Sequence, residues 1–427
     1  MLIKNATIIN SDKKEEADIL LVKGKIEKVA KKINEKADKI IEAKGKTVFP
    51  GFIDMHVHLR TPGREDEEDI SSGSMAAAKG GFTKIFCMPN TNPAIDNESC
   101  AKWIAEEGRR VGKTDVYPIG AISKARAGKE LTEFVALRRA GCLSLSDDGT
   151  AIKDSLLLRR ALEYSKMSET LIISHCEDTS LSNKGSMREG AISSKYGISA
   201  IPDIAESTIV SRDIQLAQFL RVPIHLAHIS TAKSVDIIRR AKKQGVKVTA
   251  ETAPHYFILS ADDVEKNAFD SNFKVNPPLG DEKDIEAIKK ALKDGTIDCI
   301  ATDHAPHSKA EKELPFENAP FGFIGLEFAF SLIYTHLVVK GVLSIEDISK
   351  KLSFNPAQIL GLKGCGKVEE GFCADLVIVD LDKKWEVRHK EIVSKSKNTP
   401  FLGAKLNGVV ETTIYNGKIV YNSKNES

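Results

Sequence analysis

The sequence predicts an α/β fold: a (β/α)8 TIM barrel with a small β-sandwich-like domain formed by both chain ends. Three observations point to it. Eight short runs of β-favouring apolar residues recur through the middle of the chain, and helix-like stretches lie between or after most of them. The polar residues suited to chemistry fall at or just past the ends of those runs, where a barrel gathers its active site. The two ends of the chain share a different texture, short β-like runs broken by charged turns.

The N-terminal part, residues 1–49, reads as strands in LIKNATII, ADILLVKGKIEKVA and KTVFP, and it holds neither histidine nor cysteine. The C-terminal part has the same character in VEEGFCADLVIVDLD and VVETTIYNGKIVY, where Asn416-Gly417 between β-branched runs is a hairpin signal. Two similar ends around a different middle predict a composite small β domain, residues 1–49 plus 365–427, around a barrel spanning 50–364. The barrel strands are expected at 51–57, 82–88, 116–122, 142–146, 171–177, 223–230, 247–255 and 298–304. Helices are expected at 98–112, 153–167, 205–220, 232–244 and 281–294.

Composition narrows the class of function. With 427 residues, 41% of them apolar and 29% charged, this is a globular chain long enough for one large and one small domain. A net charge of +2 and no basic stripe argue against nucleic acid as the main partner. No run is apolar enough to span a bilayer and no signal-peptide core opens the chain, so no membrane is expected and the cytoplasm is the default location. The seven cysteines are scattered without a C-x-x-C pair, as fits reduced thiols.

The chemistry begins in GFIDMHVHLR, residues 51–60. Side chains on a strand alternate faces, so His56 and His58 share one side and are able to hold one ion. An isolated H-x-H is weak evidence, because a strand histidine is more often a hydrogen-bonded core residue. Further strand ends supply Asn90, Asp147 and Asp148, His175, His228, His255, then Asp303, His304 and His307. Imidazoles from three strands with a carboxylate from the eighth suit zinc or a similar divalent ion. Cys176 follows His175 directly and points away, an inert buried thiol. His225 is out of phase with His228, while His336 and His389 read as ordinary helix and loop residues. Glu251 is a candidate partner for a ligand histidine, and His255 is either packing or a support for the site.

The pattern resembles the cyclic amidohydrolases, and among them the dihydroorotases of the bacterial and archaeal type. The carriers are GFIDMHVHLR (51–60), MPNTNP (88–93), SDDG (146–149), SHCED (174–178), AHIS (227–230), VNPPL (275–279), TDHAPH (302–307) and APFGFIG (319–325), in the family's order over nearly the whole chain. The resemblance implies that His56 and His58 bind a first metal, His175 and His228 a second, and Asp148 bridges both. Many relatives in the superfamily bridge with a carboxylated lysine on the fourth strand. CLSLSDDG has none, and Lys153 stands too far past the strand end, so the aspartate-bridged variant fits. Asp147 competes for the bridging role, and alternation turns it away if Asp148 faces the barrel.

One or two Zn²⁺ per chain, with two expected, would lower the pKa of bound water, provide a hydroxide nucleophile and polarise the attacked carbonyl. Asp303, within reach of the first metal, is implied as the general acid/base. Arg60 is placed to grip a substrate carboxylate through paired hydrogen bonds, and Asn90 offers donors to the same group. The resemblance adds His58, Asn276, His307 and the backbone at Phe321-Gly322 as substrate contacts.

Dihydroorotate carries a carboxylate that hydantoins and dihydropyrimidines lack. The expected reaction is therefore the reversible cyclisation of N-carbamoyl-L-aspartate to L-dihydroorotate in pyrimidine synthesis. The rivals are a hydantoinase, dihydropyrimidinase or allantoinase on the same fold, and a non-catalytic relative that scaffolds aspartate transcarbamoylase. A homo-oligomer and an association with aspartate transcarbamoylase both stay open. Residues 305–322 form a long polar connection expected to pack near substrate.

Overall fold

The computed structural model describes residues 1–425. Eight short parallel strands occupy the middle of the chain: β1 (Phe52–Val57), β2 (Phe82–Cys87), β3 (Asp115–Pro118), β4 (Ser144–Leu145), β5 (Leu171–Ser174), β6 (Ile224–Leu226), β7 (Val248–Thr252) and β8 (Cys299–Ile300). They fall within the expected runs apart from a residue at the start of β3, but are shorter, because each chain leaves its ladder early and turns into a polar tip. Their pairing gives two sheets, β1-β2-β3 and β4-β5-β6-β7-β8, parallel throughout. Two isolated parallel bridges join the edges of these sheets, Gly120 with Leu145 and Val57 with His304. The second is carried by the His58 N–H, which donates to the His304 carbonyl at 2.8 Å.

The strands are covered on both faces; every residue of β1 and β2 is buried, the polar Asp54, His56, Thr83 and Lys84 included. Helices at Glu98–Val111, Ser155–Ser168, Ile204–Leu220, Ala232–Lys243 and Glu282–Asp294 agree with the expected spans to within two residues. Their starts follow from side-chain caps. Asn97, Asp154, Thr231 and Asp281 each accept a backbone N–H of the first turn. Helix Ile70–Gly80, capped by Asp69, was not among the expected spans; its run of small residues gives a weak amphipathic signal. No helix among the described residues is long and apolar enough to cross a membrane.

Both chain ends meet in one sheet. Strand Thr47–Pro50 pairs with Leu2–Ile9 on one side and with Leu376–Glu386 on the other, and Lys405–Tyr415 and Lys418–Asn422 continue the order. A separate apolar cluster draws on both ends, including Ile3, Ile8, Ile19, Val48, Leu376, Ile378 and Ile414. Asn10 ties the ends together by hydrogen bonds to both the N–H and the carbonyl of Val368.

Lys84 on β2 links this sheet to the parallel strands. Its ammonium, buried on a 5% exposed side chain, pairs with Asp375 at 2.7 Å and Asp115 at 2.9 Å. Burial opposes its charge, but those two carboxylates hold its pKa well above the usual lysine range. Lys84→Met is expected to cost about 3 kcal/mol, because it strands buried carboxylate charge. Chemical denaturation would register this as a lower midpoint at unchanged slope.

Candidate active site

The six side chains expected to hold metal converge past the ends of β1, β4, β5, β6 and β8. His56 belongs to β1 and His58 follows it by one residue, so the strand's alternation turns both rings to one side. Past β4 the chain bends sharply, and its two aspartates part. Asp147 accepts the N–H groups of Ile122 and Ser123 at 2.9 and 3.0 Å and a bond from the Ser123 hydroxyl, which closes a turn. Asp148 points among the histidines instead. Its Oδ1 lies 3.4 Å from His56 Nε2, 3.4 Å from His175 Nδ1 and 3.6 Å from His228 Nε2, and its Oδ2 lies 3.7 Å from His58 Nε2. Asp303 places Oδ1 3.2 Å from His58 Nε2 and 3.5 Å from His56 Nε2.

Two of these residues adopt backbone conformations that cost energy for side chains other than glycine. His228 has φ +35° and Asp303 has φ +50°. Such strain is typical where surrounding packing forces a side chain into a site.

The donor set suits divalent cations. Inner atoms His56 Nε2 and Asp148 Oδ1 are buried without any hydrogen-bond partner, and orphaned buried polar atoms are costly unless something pairs with them. Three histidines give their outer nitrogen to an acceptor. His56 Nδ1 donates to Glu251 at 2.9 Å, His58 Nδ1 to Asn90 Oδ1 at 2.8 Å, and His175 Nε2 to Glu177 at 2.9 Å. This leaves the lone pair on the inner nitrogen, the form a metal ligand needs. Ligand bonds of roughly 2.1 Å at a tetrahedral angle place donor atoms about 3.4 Å apart; the histidine–carboxylate separations here run from 3.2 to 3.7 Å, while His175 Nδ1 and His228 Nε2 stand closer, at 2.8 Å. Two overlapping triads, His56–Asp148–His228 and His56–His58–Asp303, each bring one ligand atom per residue within 4.8 Å of the others.

Electrostatics bind the cluster further. Burial alone would raise the Asp148 pKa, but the field of His56 and the nearby imidazoles of His175 and His228 hold it well below the carboxylate range. Burial would likewise depress His175, yet Asp148 and Glu177 push it up to about 9. Asp303, also buried, is held below its ordinary value, chiefly by His56 and His58.

Glu251 also accepts from His225 Nε2 at 3.1 Å, and His225 Nδ1 in turn meets Thr249. His225 thus faces the site indirectly, and neighbouring histidines hold Glu251 down at about 2 against its burial. His255 packs its ring between Tyr256 and Phe323, and burial lowers its pKa to about 4, so it is neutral near pH 7. His304 is turned out of the cluster toward Glu68 and the Gly325 N–H. Cys176 is buried, with its thiol pKa raised by desolvation. Lys153 is exposed.

The expected substrate residues are placed less directly. Arg60 donates from Nε to the Pro306 carbonyl at 2.9 Å, and its Nη2 lies 3.0 Å from His307 Nε2. Its charge reaches both His58 and Asp303. Asn90 uses its carbonyl oxygen to orient His58. Asn276 donates to Glu177, the residue that orients His175. The Gly322 N–H is already taken by the Lys274 carbonyl at 2.8 Å. His307 Nε2 lies 2.8 Å from the Phe321 carbonyl, so the two ends of segment 305–322 touch. Gly322, with φ +112°, permits that return, since a Cβ there would stand 2.5 Å from the Ala305 Cβ.

Comparison with known proteins places this geometry. A family model described as dihydro-orotase-like matches residues 45–234, and one described as amidohydrolase family matches 199–421. A dihydroorotase of Caldicellulosiruptor saccharolyticus is 50% identical over 98% of both chains, and one of Acetivibrio thermocellus is 48% identical over 99% of both. This chain belongs to the dihydroorotase family. Its membership makes it a cyclic amidohydrolase. Among solved structures, an L-hydantoinase (dihydropyrimidinase) from Arthrobacter aurescens superposes with a TM-score of 0.89 at 25% identity, covering 99% of this chain and 96% of its own. A dihydropyrimidinase from Brevibacillus agri NCHU1002 gives 0.88 at 24%, over 99% and 95%. This chain thus shares its backbone with solved hydantoinase and dihydropyrimidinase structures, and a shared fold does not by itself fix the substrate.

Glu251, Glu177 and Glu67 are the residues that sequence reasoning undervalued or missed. Glu251 sits two residues before Ala253-Pro254-His255 on an apolar strand, where a buried carboxylate needs a partner. That signal was available. Glu177 lies inside SHCED and Glu67 inside a run of acids, and neither stands out by spacing.

Proposed function

We propose that this chain interconverts N-carbamoyl-L-aspartate and L-dihydroorotate, using two zinc ions held by His56, His58, His175, His228, Asp148 and Asp303. The observation that carries the reading is Arg60, whose side chain is 12% exposed and lies beside His307 at the rim of the histidine–aspartate cluster. A partly shielded cation there favours a ring that bears a carboxylate over hydantoin or dihydrouracil. We also read the two sheets as one closed (β/α)8 barrel, joined at both seams by the isolated bridges, with residues 1–49 and 365–427 forming the composite β domain.

Ions at the cluster would acidify a bound water and polarise the carbonyl under attack. The protein's own groups perform the remaining tasks. Asp303 stands against His58 and His56 as an ionised carboxylate, able to take a proton and return it to the ring nitrogen as the amide bond breaks. In the reverse direction it removes the proton from the carbamoyl nitrogen as the ring closes. Asn90, Glu251 and Glu177 keep the imidazoles aligned. Arg60 with His307 holds the carboxylate end, and segment 305–322 keeps that pocket in shape.

Arg60→Ala is expected to raise the KM for L-dihydroorotate by about 10 to 100-fold, as loss of a charge-assisted bond implies, while metal content stays unchanged. The reading itself is tested by offering dihydroorotate, carbamoyl aspartate, hydantoin, dihydrouracil and allantoin to the purified zinc-loaded protein. Turnover of only the first two supports it, and preferential turnover of an uncarboxylated ring overturns it.

A further inference from the structure

Glu67 lies in the acidic run Glu65-Asp66-Glu67-Glu68, which on sequence grounds reads as a solvated face. The structure buries it, with 2% of its surface exposed. One oxygen meets Arg60 Nε at 3.0 Å. The other meets His307 Nδ1 at 3.1 Å and Arg64 Nη2 at 3.1 Å. The two residues assigned above to the substrate carboxylate come from opposite ends of the barrel sequence, Arg60 just past β1 and His307 past β8. This single carboxylate touches both. Glu67, His307 and Glu311 also cluster as metal-type donors, but two guanidiniums already lie against Glu67 and Glu311, which excludes a cation site.

Arg60 has φ +58°, a left-handed backbone that its own preferences oppose. Its Nε–H donates to the Pro306 carbonyl while a Glu67 oxygen pairs with the same nitrogen at 3.0 Å, and one Nη2 hydrogen is directed at His307. The Nη1 group takes no part in these contacts. Held by one edge, a guanidinium keeps its other edge available for a paired grip on a carboxylate. Without Glu67, nothing in this set fixes both the guanidinium plane and the imidazole.

We propose that Glu67 is a positioning residue for substrate recognition, clasping Arg60 and His307 together so that they form one pre-arranged carboxylate subsite. The inference rests on the dihydroorotase reading above. Positioning of this kind lowers the ordering cost of binding and leaves the hydrolytic groups untouched. Burial and the neighbouring Glu311 carboxylate raise Glu67 to about 7 against the pull of Arg60, so the clasp is also sensitive to neutralisation of this group.

The test is steady-state kinetics on zinc-loaded wild type and Glu67→Gln, with metal content and melting temperature measured on the same samples. Wild type that fails to turn over L-dihydroorotate defeats the underlying reading. If wild type turns over, the proposal expects Glu67→Gln to raise the KM about tenfold with kcat within about twofold and zinc content unchanged. An unchanged KM, or a fall in kcat alone, overturns it. Should the glutamine variant not fold, Glu67→Asp carries the same test. It keeps the charge and shortens the reach by one methylene, and a KM identical to wild type would count against the clasp.

Discussion

Asp303→Asn is expected to keep its metal and lose turnover by about 10³-fold or more, the scale of a removed general acid/base. The substitution changes charge and little else. Asparagine has the size of aspartate and is among the few residues that tolerate the left-handed backbone that position 303 adopts, φ +50°. Its carbonyl oxygen still reaches toward His58, where Asp303 Oδ1 now lies at 3.2 Å. What disappears is the capacity to accept a proton. Metal analysis and turnover of L-dihydroorotate on the same preparation check this, and full activity in the variant would remove Asp303 from its assigned role.

Asp148→Asn should have a comparably large effect by a different route. Asp148 alone faces all four histidines, at 3.4 to 3.7 Å, and its negative charge balances whatever cations lie between them. A neutral amide offers one weak donor oxygen and an N–H₂ group turned toward imidazole lone pairs. Zinc content is expected to fall below one per chain, and turnover to drop to background. Because a bound metal stabilises the fold that binds it, the zinc-dependent gain in melting temperature should shrink as well. A variant that retained full zinc would place the bridge elsewhere, and Asp147 is not available for it, being committed to the turn at Ile122-Ser123.

Much of this site could be read in advance because it obeys local rules. His56 and His58 follow strand alternation, and their motif is bounded by Pro50-Gly51 and Pro62-Gly63. The same parity argument separates Asp148 from Asp147, and the two side chains part in that sense. The residues that align the ligands were harder to see, because their role depends on distant contacts. Glu251 is 195 residues from His56, and Glu67 is 240 from His307. Neither contact has a periodic signature, and an acidic run looks solvated until tertiary structure covers it.

Asn90 and Asn276 show a related limit. Their expected place at the substrate gave no sign of the contacts the structure shows, Asn90 holding His58 and Asn276 holding Glu177. In the fold, the strands were located well but their ends were overestimated. Sequence pattern continues through the polar tips, whereas ladder pairing stops where the chain bends toward the site. The π-helical turns at Tyr334–Val338 and Lys350–Phe354 had no expectation attached, since apolar periodicity there fits several helical pitches.

The central claim is that six side chains hold a two-ion centre which opens and closes a carboxylated ring. The most direct measurement is a titration of metal-free protein with zinc, following bound metal per chain and L-dihydroorotate turnover together. The account predicts that turnover rises with bound zinc and reaches its plateau at two ions per chain. Full occupancy without turnover, or turnover that persists after the metal is removed, would contradict it.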